Sequence, residues 1–157
     1  SHGLIVGFKH ADRTDLAPLL AGWLARAGAG LITPASVLAP APLHPQRLFA
    51  RRFNQSAILA QRLALATGAV FAPRYLKRLR PTPSQKGLSA DQRRRNLAGA
   101  IGPGPEASAG AHVIIIDDVM TTGATLSACA RAARKAGAAR VDALVLARAM
   151  KDGAVLG

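Results

Sequence analysis

Asp117 and Asp118 stand side by side after four apolar residues, Val113 to Ile116, and ahead of Thr121, Thr122, Gly123, Ala124 and Thr125. The chain carries 21 Lys plus Arg and only 8 Asp plus Glu, so two adjacent acids ask for a partner rich in positive charge or hydroxyl groups. An apolar run, a short turn and a helical pattern follow one another here, and ligands of α/β sheets collect beyond the C-terminal ends of strands. The first turn of a helix offers backbone N–H groups and a partial positive charge, which suit phosphate. Gly123 permits a close turn, and the hydroxyls of Thr121, Thr122 and Thr125 can reach phosphate oxygens. The acids cannot face that phosphate; they accept hydrogen bonds from sugar hydroxyls or hold a magnesium ion through water. A sugar diol next to a phosphate monoester meets both demands, and a ribose 5-phosphate has both. The blander alternative is that the acids cap the helix and the threonines are ordinary turn residues.

The elements that must position these residues alternate between strand and helix. Leu4–Phe8 is a short apolar run with strand character. Thr14 or Asp15 can cap a helix through Ala27, with Pro18 in its first turn and Gly28 as its stop. Leu31–Ala39 is a strand candidate made irregular by Pro34, and the prolines of Pro40–Arg47 force a loop. Asn54 or Ser56 caps a helix containing Ile58, Leu59, Leu63 and Leu65, which stops at Gly68. Phe71–Leu79 reads as a strand, and Ser89 with Gln92 fits a capping box for a short helix inside the polar Arg80–Gly99 segment. After a Gly- and Pro-rich turn over Gly102–Gly110, His112–Ile116 is a fully apolar strand, Ala124–Ala136 a helix and Val141–Ala147 a strand. This order, without hairpin dipeptides, predicts one α/β domain over residues 1–157, with a mostly parallel central sheet flanked by helices.

Composition narrows the function further. Half of the 157 residues are hydrophobic, as a globular chain requires, and no apolar run reaches the roughly 20 residues of a membrane span. Cys129 is the single cysteine, which excludes an internal disulfide and a multi-cysteine zinc site and makes the cytoplasm the expected compartment. Ser1 and His2 resemble an expression remnant and take no role. Of the net charge of +13, the segment from His44 to Gly99 holds +11, with twelve Lys or Arg against Asp91 alone. Such a concentration suits a polyanion, either a phosphorylated small molecule or nucleic acid, unless it is only a solvated basic face. Other phosphate motifs are missing: there is no G-x-x-x-x-G-K-[ST], and Gly28 and Gly30 do not complete a G-x-G-x-x-G.

"VIIIDDVMTTGAT", Val113 to Thr125, resembles the phosphoribosyl pyrophosphate (PRPP) motif of type I phosphoribosyltransferases. "PAPLHPQRLFARRFNQ", "PTPSQKGLSADQRRRN" and "IIIDDVMTTGATLSACARAARKAGAARVDALVLAR" are similar, in that order, to the ComF family of phosphoribosyltransferase-like competence proteins, and the resemblance runs from Phe8 to Arg148. It implies that Asp117 and Asp118 contact the ribose hydroxyls of PRPP and that Thr121–Thr125 hold its 5-phosphate. It implies that the loop around Leu43 and His44 approaches the pyrophosphate, with Arg47 as charge partner. A flexible hood loop over Pro81–Asn96 would close on the ligand and bring Gln85, Lys86 and Arg93 near the pyrophosphate. Magnesium would arrive with PRPP, with no direct protein ligand. The chain departs from the family in two places: it has no cysteine-rich zinc-binding segment, and Arg52 stands where the family pattern R-G-F-N-Q has glycine. Either the sequence is a piece of a longer chain, or this member lacks that segment.

Two functions follow from the resemblance. One is transfer of a phosphoribosyl group from PRPP to an unidentified nitrogen acceptor. Purine-salvage relatives carry an acid where this chain has Thr121, which argues against purine acceptors. The other is a non-catalytic or PRPP-sensing role in DNA uptake and natural transformation, with single-stranded DNA and DNA-uptake proteins as partners of the basic midsection. With only six aromatics in the chain, base stacking would be limited.

Overall fold

In a computed structural model of the chain, residues 16–42, 54–80, 87–120, 123–149 and 155–156 are described. The central sheet has strands β1 (Val37–Pro40), β2 (Val70–Phe71), β5 (His112–Met120), β6 (Arg140–Ala149) and β7 (Val155–Leu156), in the order β2-β1-β5-β6-β7. The first four run parallel, and β7 is antiparallel to β6. A separate antiparallel pair joins β3 (Leu76–Arg78) to β4 (Ile101–Pro103). Helices α1 (Ala17–Ala27), α2 (Gln55–Thr67), α3 (Ala90–Leu97) and α4 (Ala124–Lys135) complete the described elements. No helix among the described residues is long and apolar enough to cross a membrane.

Alternation along β5 explains the layering. Ile114 and Ile116 turn to one face and pack with Leu20 and Leu24 of α1 and Leu59 and Leu63 of α2. Val113 and Ile115 turn to the other, where Cys129, Ala132 and Ala133 of α4 meet Tyr75, Leu97 and Ile101. A strand buried on both faces has no polar side to show, hence the unbroken apolar run.

The helix signals correspond closely to the observed ends. Asn54, not Ser56, caps α2, which ends at Gly68 in the left-handed region at φ 78°. Ser89 and Gln92 form a complete capping box on α3. At α1, Leu16 precedes the first turn without a side-chain cap, and Gly28 follows the last; Thr14, Asp15 and the Leu4–Phe8 run lie outside the described residues.

Three strand expectations are corrected. Phe71–Leu79 is not one strand: Val70–Phe71 stays beside β1, the chain turns at Pro73 and Arg74, and Leu76–Arg78 joins a different sheet. Pro73 has no N–H for a ladder, and Tyr75 is pulled inward, its hydroxyl donating to the Ser108 carbonyl at 2.7 Å. The Gly102–Gly110 turn opens as strand β4, whose partner β3 lies on the other side of the long polar segment, so no hairpin dipeptide announces the pair. Gly104 then passes so near the Arg74 carbonyl oxygen that a Cβ would overlap it. Gly104→Ala is therefore expected to lower stability by about 1–3 kcal/mol, measured by denaturant unfolding; an unchanged midpoint would contradict this approach of backbone to backbone. The third correction concerns β5 itself, which continues past Ile116 to Met120.

Candidate functional site

The extension of β5 places the two acids. Pairing of β1 with β5 ends at Pro40 opposite Ile116, with one further bond from the Ala41 N–H to the Ile116 carbonyl at 2.9 Å. Pairing with β6 continues through Asp117 to Met120. Asp117 and Asp118 thus occupy an overhang of the central strand, held on one side by β6 and lying beyond the end of β1 on the other. By alternation Asp117 continues the face covered by α4, and its charge is felt at Cys129. With no β1 residue alongside, its carboxyl also reaches α2: Oδ1 accepts from the Ser56 hydroxyl at 3.0 Å and from the Asp118 N–H at 2.9 Å.

Asp118 is 8% exposed; Asp117 is half-buried as a residue, with its carboxyl in a poorly solvated corner. Burial first, and the neighbouring Asp118 second, push the Asp117 carboxyl up from the ordinary carboxylate value to about 7; the Ser56 hydroxyl opposes the rise. Asp117 therefore reaches neutral pH only partly ionised.

After the overhang the chain turns at Gly123, in the left-handed region at φ 79°, and starts α4. Unlike α2 and α3, α4 begins on a residue with no side chain to cap its first turn. Ala124 and Thr125 lie in that turn. The structure thus brings Asp117, Asp118, Gly123, Ala124 and Thr125 onto one strand–turn–helix edge. Thr121, Thr122, Leu43, His44, Arg47, Gln85 and Lys86 lie outside the described residues. Arg93 is half-buried on α3, which packs against α4, with Arg94 and Arg95 exposed beside it.

Two residues that the sequence did not single out for the site belong to its surroundings. Ser56 read only as an alternative helix cap, and its bond to Asp117 spans 61 positions. Arg78 donates through Nε to the Pro42 carbonyl at 3.3 Å, which puts a cation at the exit of β1 where the chain enters residues 43–47. No local signal marks either residue, since each acts across strands. Cys129, fully buried and within electrostatic reach of Asp117 and Arg78, is pushed up to about 12 by burial and by Asp117, so it is no nucleophile. Among the described residues no group of three His, Cys, Asp or Glu could hold a metal. The two acids alone suit only a magnesium ion carried by another ligand and met through water.

A family model described as a phosphoribosyl transferase domain matches residues 57–155. DNA utilization protein YhgH of Salmonella typhi is 35% identical over 153 residues, covering 94% of this chain and 66% of that protein. Competence protein F of Haemophilus influenzae is 35% identical over 112 residues, covering 70% of this chain and 49% of that protein. The chain thus spans slightly less than two thirds of the first relative and about half of the second. Among solved structures, a hypoxanthine phosphoribosyltransferase from Staphylococcus aureus superposes with a TM-score of 0.54 at 12% identity, covering 89% of this chain and 66% of that one. An allosteric regulatory enzyme of purine biosynthesis gives 0.53 at 20% identity, covering 83% and 25%. At such identities these two likenesses concern the fold alone.

Proposed function

This chain belongs to the phosphoribosyl transferase domain family and is ComF-like within it, and from that premise we propose that it binds PRPP with magnesium at the β5–α4 edge. The observation that carries this reading is the acid pair on a strand overhang, Asp118 buried and the Asp117 carboxyl desolvated, with a helix start that lacks a side-chain cap at Gly123 soon after it in the chain. Asp117 and Asp118 take the two ribose hydroxyls. The turn from Thr121 to Thr125 takes the 5-phosphate through backbone N–H groups and threonine hydroxyls. Leu43, His44, Arg47, Gln85, Lys86 and Arg93 take the pyrophosphate.

In the catalytic form of this reading, a nitrogen of the acceptor bonds to ribose C1 as the C1–O bond to pyrophosphate breaks. Pyrophosphate leaves with the bonding pair, and the acceptor's proton passes to solvent. Magnesium would neutralise charge on the departing pyrophosphate. The protein's share is orientation and electrostatics: the acids hold the ribose ring by its diol while cations offset leaving-group charge. Titration calorimetry with magnesium-PRPP, followed by a pyrophosphate-release screen over bases and amines, tests binding and turnover in turn. Absence of heat at millimolar PRPP would end the reading. A cytoplasmic compartment belongs to the same proposal.

The relatives' names, DNA utilization and competence, favour a second reading in which the basic segment meets single-stranded DNA. Arg95 is exposed on α3, next to Arg94, which pairs with Asp91 at 2.6 Å. If Arg93, Arg94 and Arg95 follow a nucleic-acid backbone, their joint replacement by Ala flattens the log–log salt dependence of binding by about two units, at roughly 0.7 per contact. If Arg93 serves pyrophosphate instead, the triple variant loses PRPP affinity and keeps its salt slope. Loss of neither property would leave the three arginines as a solvated helix face.

A further inference from the structure

Asn54, Gln55 and Ser56 open α2 where polar side chains need a reason to be. Gln55 and Ser56 are 4% and 5% exposed, and burying an amide or a hydroxyl is unfavourable unless its hydrogen bonds are made. The bonds of Asn54 and Ser56 go to two different strands. Asn54 Nδ2 donates to the Ala41 carbonyl at 3.2 Å, one residue past the end of β1. Ser56 Oγ donates to Oδ1 of Asp117 at 3.0 Å. Helix capping does not require Ser56, because Asn54 Oδ1 alone accepts from the N–H groups of Ser56 and Ala57 at 2.9 and 3.3 Å. The serine hydroxyl is thus committed to the acid.

The sheet itself provides little at this point. β1 pairs with β5 only as far as Pro40 and Ile116, so the exit of β1 and the overhang that bears Asp117 diverge there. The first turn of α2 bridges that divergence, with one side chain on each strand. We propose that Asn54 and Ser56 form a clasp that holds the exit of β1 and the Asp117 carboxyl in fixed relation, with Ser56 as the positioning residue for the acid. This rests on the reading of Asp117 as a ribose-binding group. Through the clasp, the exit of β1 at Ala41 and the acid that meets the ribose stay in register.

The mechanism is geometric. Two donors on Oδ1, the Ser56 hydroxyl and the Asp118 N–H, define the plane of the Asp117 carboxyl. Among the described residues, the charged or titratable groups around it are Asp118 on its own strand and Cys129 on α4, whose own surroundings include Arg78 on β3. Ser56 supplies a neutral donor that favours the ionised carboxyl against burial and against Asp118.

The test is Ser56→Ala, which leaves the Asn54 cap intact, in protein labelled with 13C at aspartate carboxyls. The Asp117 titration is expected to move to higher pH, and magnesium-PRPP affinity to fall roughly tenfold, the size of one hydrogen bond to a charged group. Ser56→Thr, which keeps the hydroxyl, is expected to restore both. An Asp117 titration unmoved by Ser56→Ala, or displaced equally by Ser56→Thr, overturns the clasp. Should the parent protein fail to bind magnesium-PRPP, the proposed function falls, yet the carboxyl titration still decides whether Ser56 sets the acid.

Discussion

Asp117→Asn is expected to make the protein melt higher at pH 8 while magnesium-PRPP binds at least about a hundredfold more weakly, the equivalent of one or two hydrogen bonds to a charged group. The stability half follows from linkage. The folded-state pKa of Asp117 is raised to about 7, so between roughly pH 4 and 7 the folded chain keeps a proton that the unfolded chain has released. The stabilising contribution of this group is complete below the unfolded value and is lost as pH rises through about 7. At pH 8 the folded protein carries a desolvated carboxylate beside Asp118. Asparagine imitates the protonated form: its oxygen can accept from Ser56 and the Asp118 N–H, and its amide can donate where the Asp117 proton lay. Each kcal/mol recovered raises Tm by about 2–4 °C in a domain of this size.

The binding half follows from the same carboxyl, because an amide cannot offer a ribose hydroxyl a charged acceptor. Replacing both Asp117 and Asp118 by Asn should deepen the loss without unfolding the chain. Paired scanning calorimetry and titration would show the trade. A variant that melts lower at pH 8, or that binds magnesium-PRPP like the parent, contradicts the assignment.

The affinity for magnesium-PRPP should itself depend on pH, strengthening about tenfold per unit up to about pH 7 and levelling above it. A ribose diol donating two hydrogen bonds, with a cation near, favours Asp117 ionised, so binding below pH 7 must expel its proton. Calorimetry in buffers of different ionisation enthalpy should report close to one proton released per ligand at pH 6 and close to none at pH 8. The ligand's own 5-phosphate also titrates, with a second pKa near 6. Asp117→Asn supplies the correction, because its profile retains the ligand's titration and loses that of the acid. Parallel profiles for parent and variant would mean that the Asp117 proton plays no part in binding.

What the sequence by itself determined was whatever short-range chemistry controls. Val113–Ile116 reads as a doubly covered strand because four apolar residues in a row leave no polar face. The α2 stop at Gly68 and the capping box on α3 are set by groups within three or four residues of each other. The succession of strand, acids, turn and helix is local as well, which is why Asp117, Asp118 and the turn at Gly123 could be read as one edge before any fold was known.

Tertiary structure decided the rest, because pairing and burial depend on residues remote in the chain. Phe71–Leu79 has the composition of a strand, but Tyr75 finds its partner at Ser108 and draws the chain out of the main sheet. The length of β5 was hidden because its polar end is sustained by β6, while the earlier end of β1 makes the overhang. Two aspartates in a sequence are simply two charges. Only the fold, by setting α2 and α4 about the first of them and Ser56 against it, withdraws enough water to push the Asp117 carboxyl up to about 7.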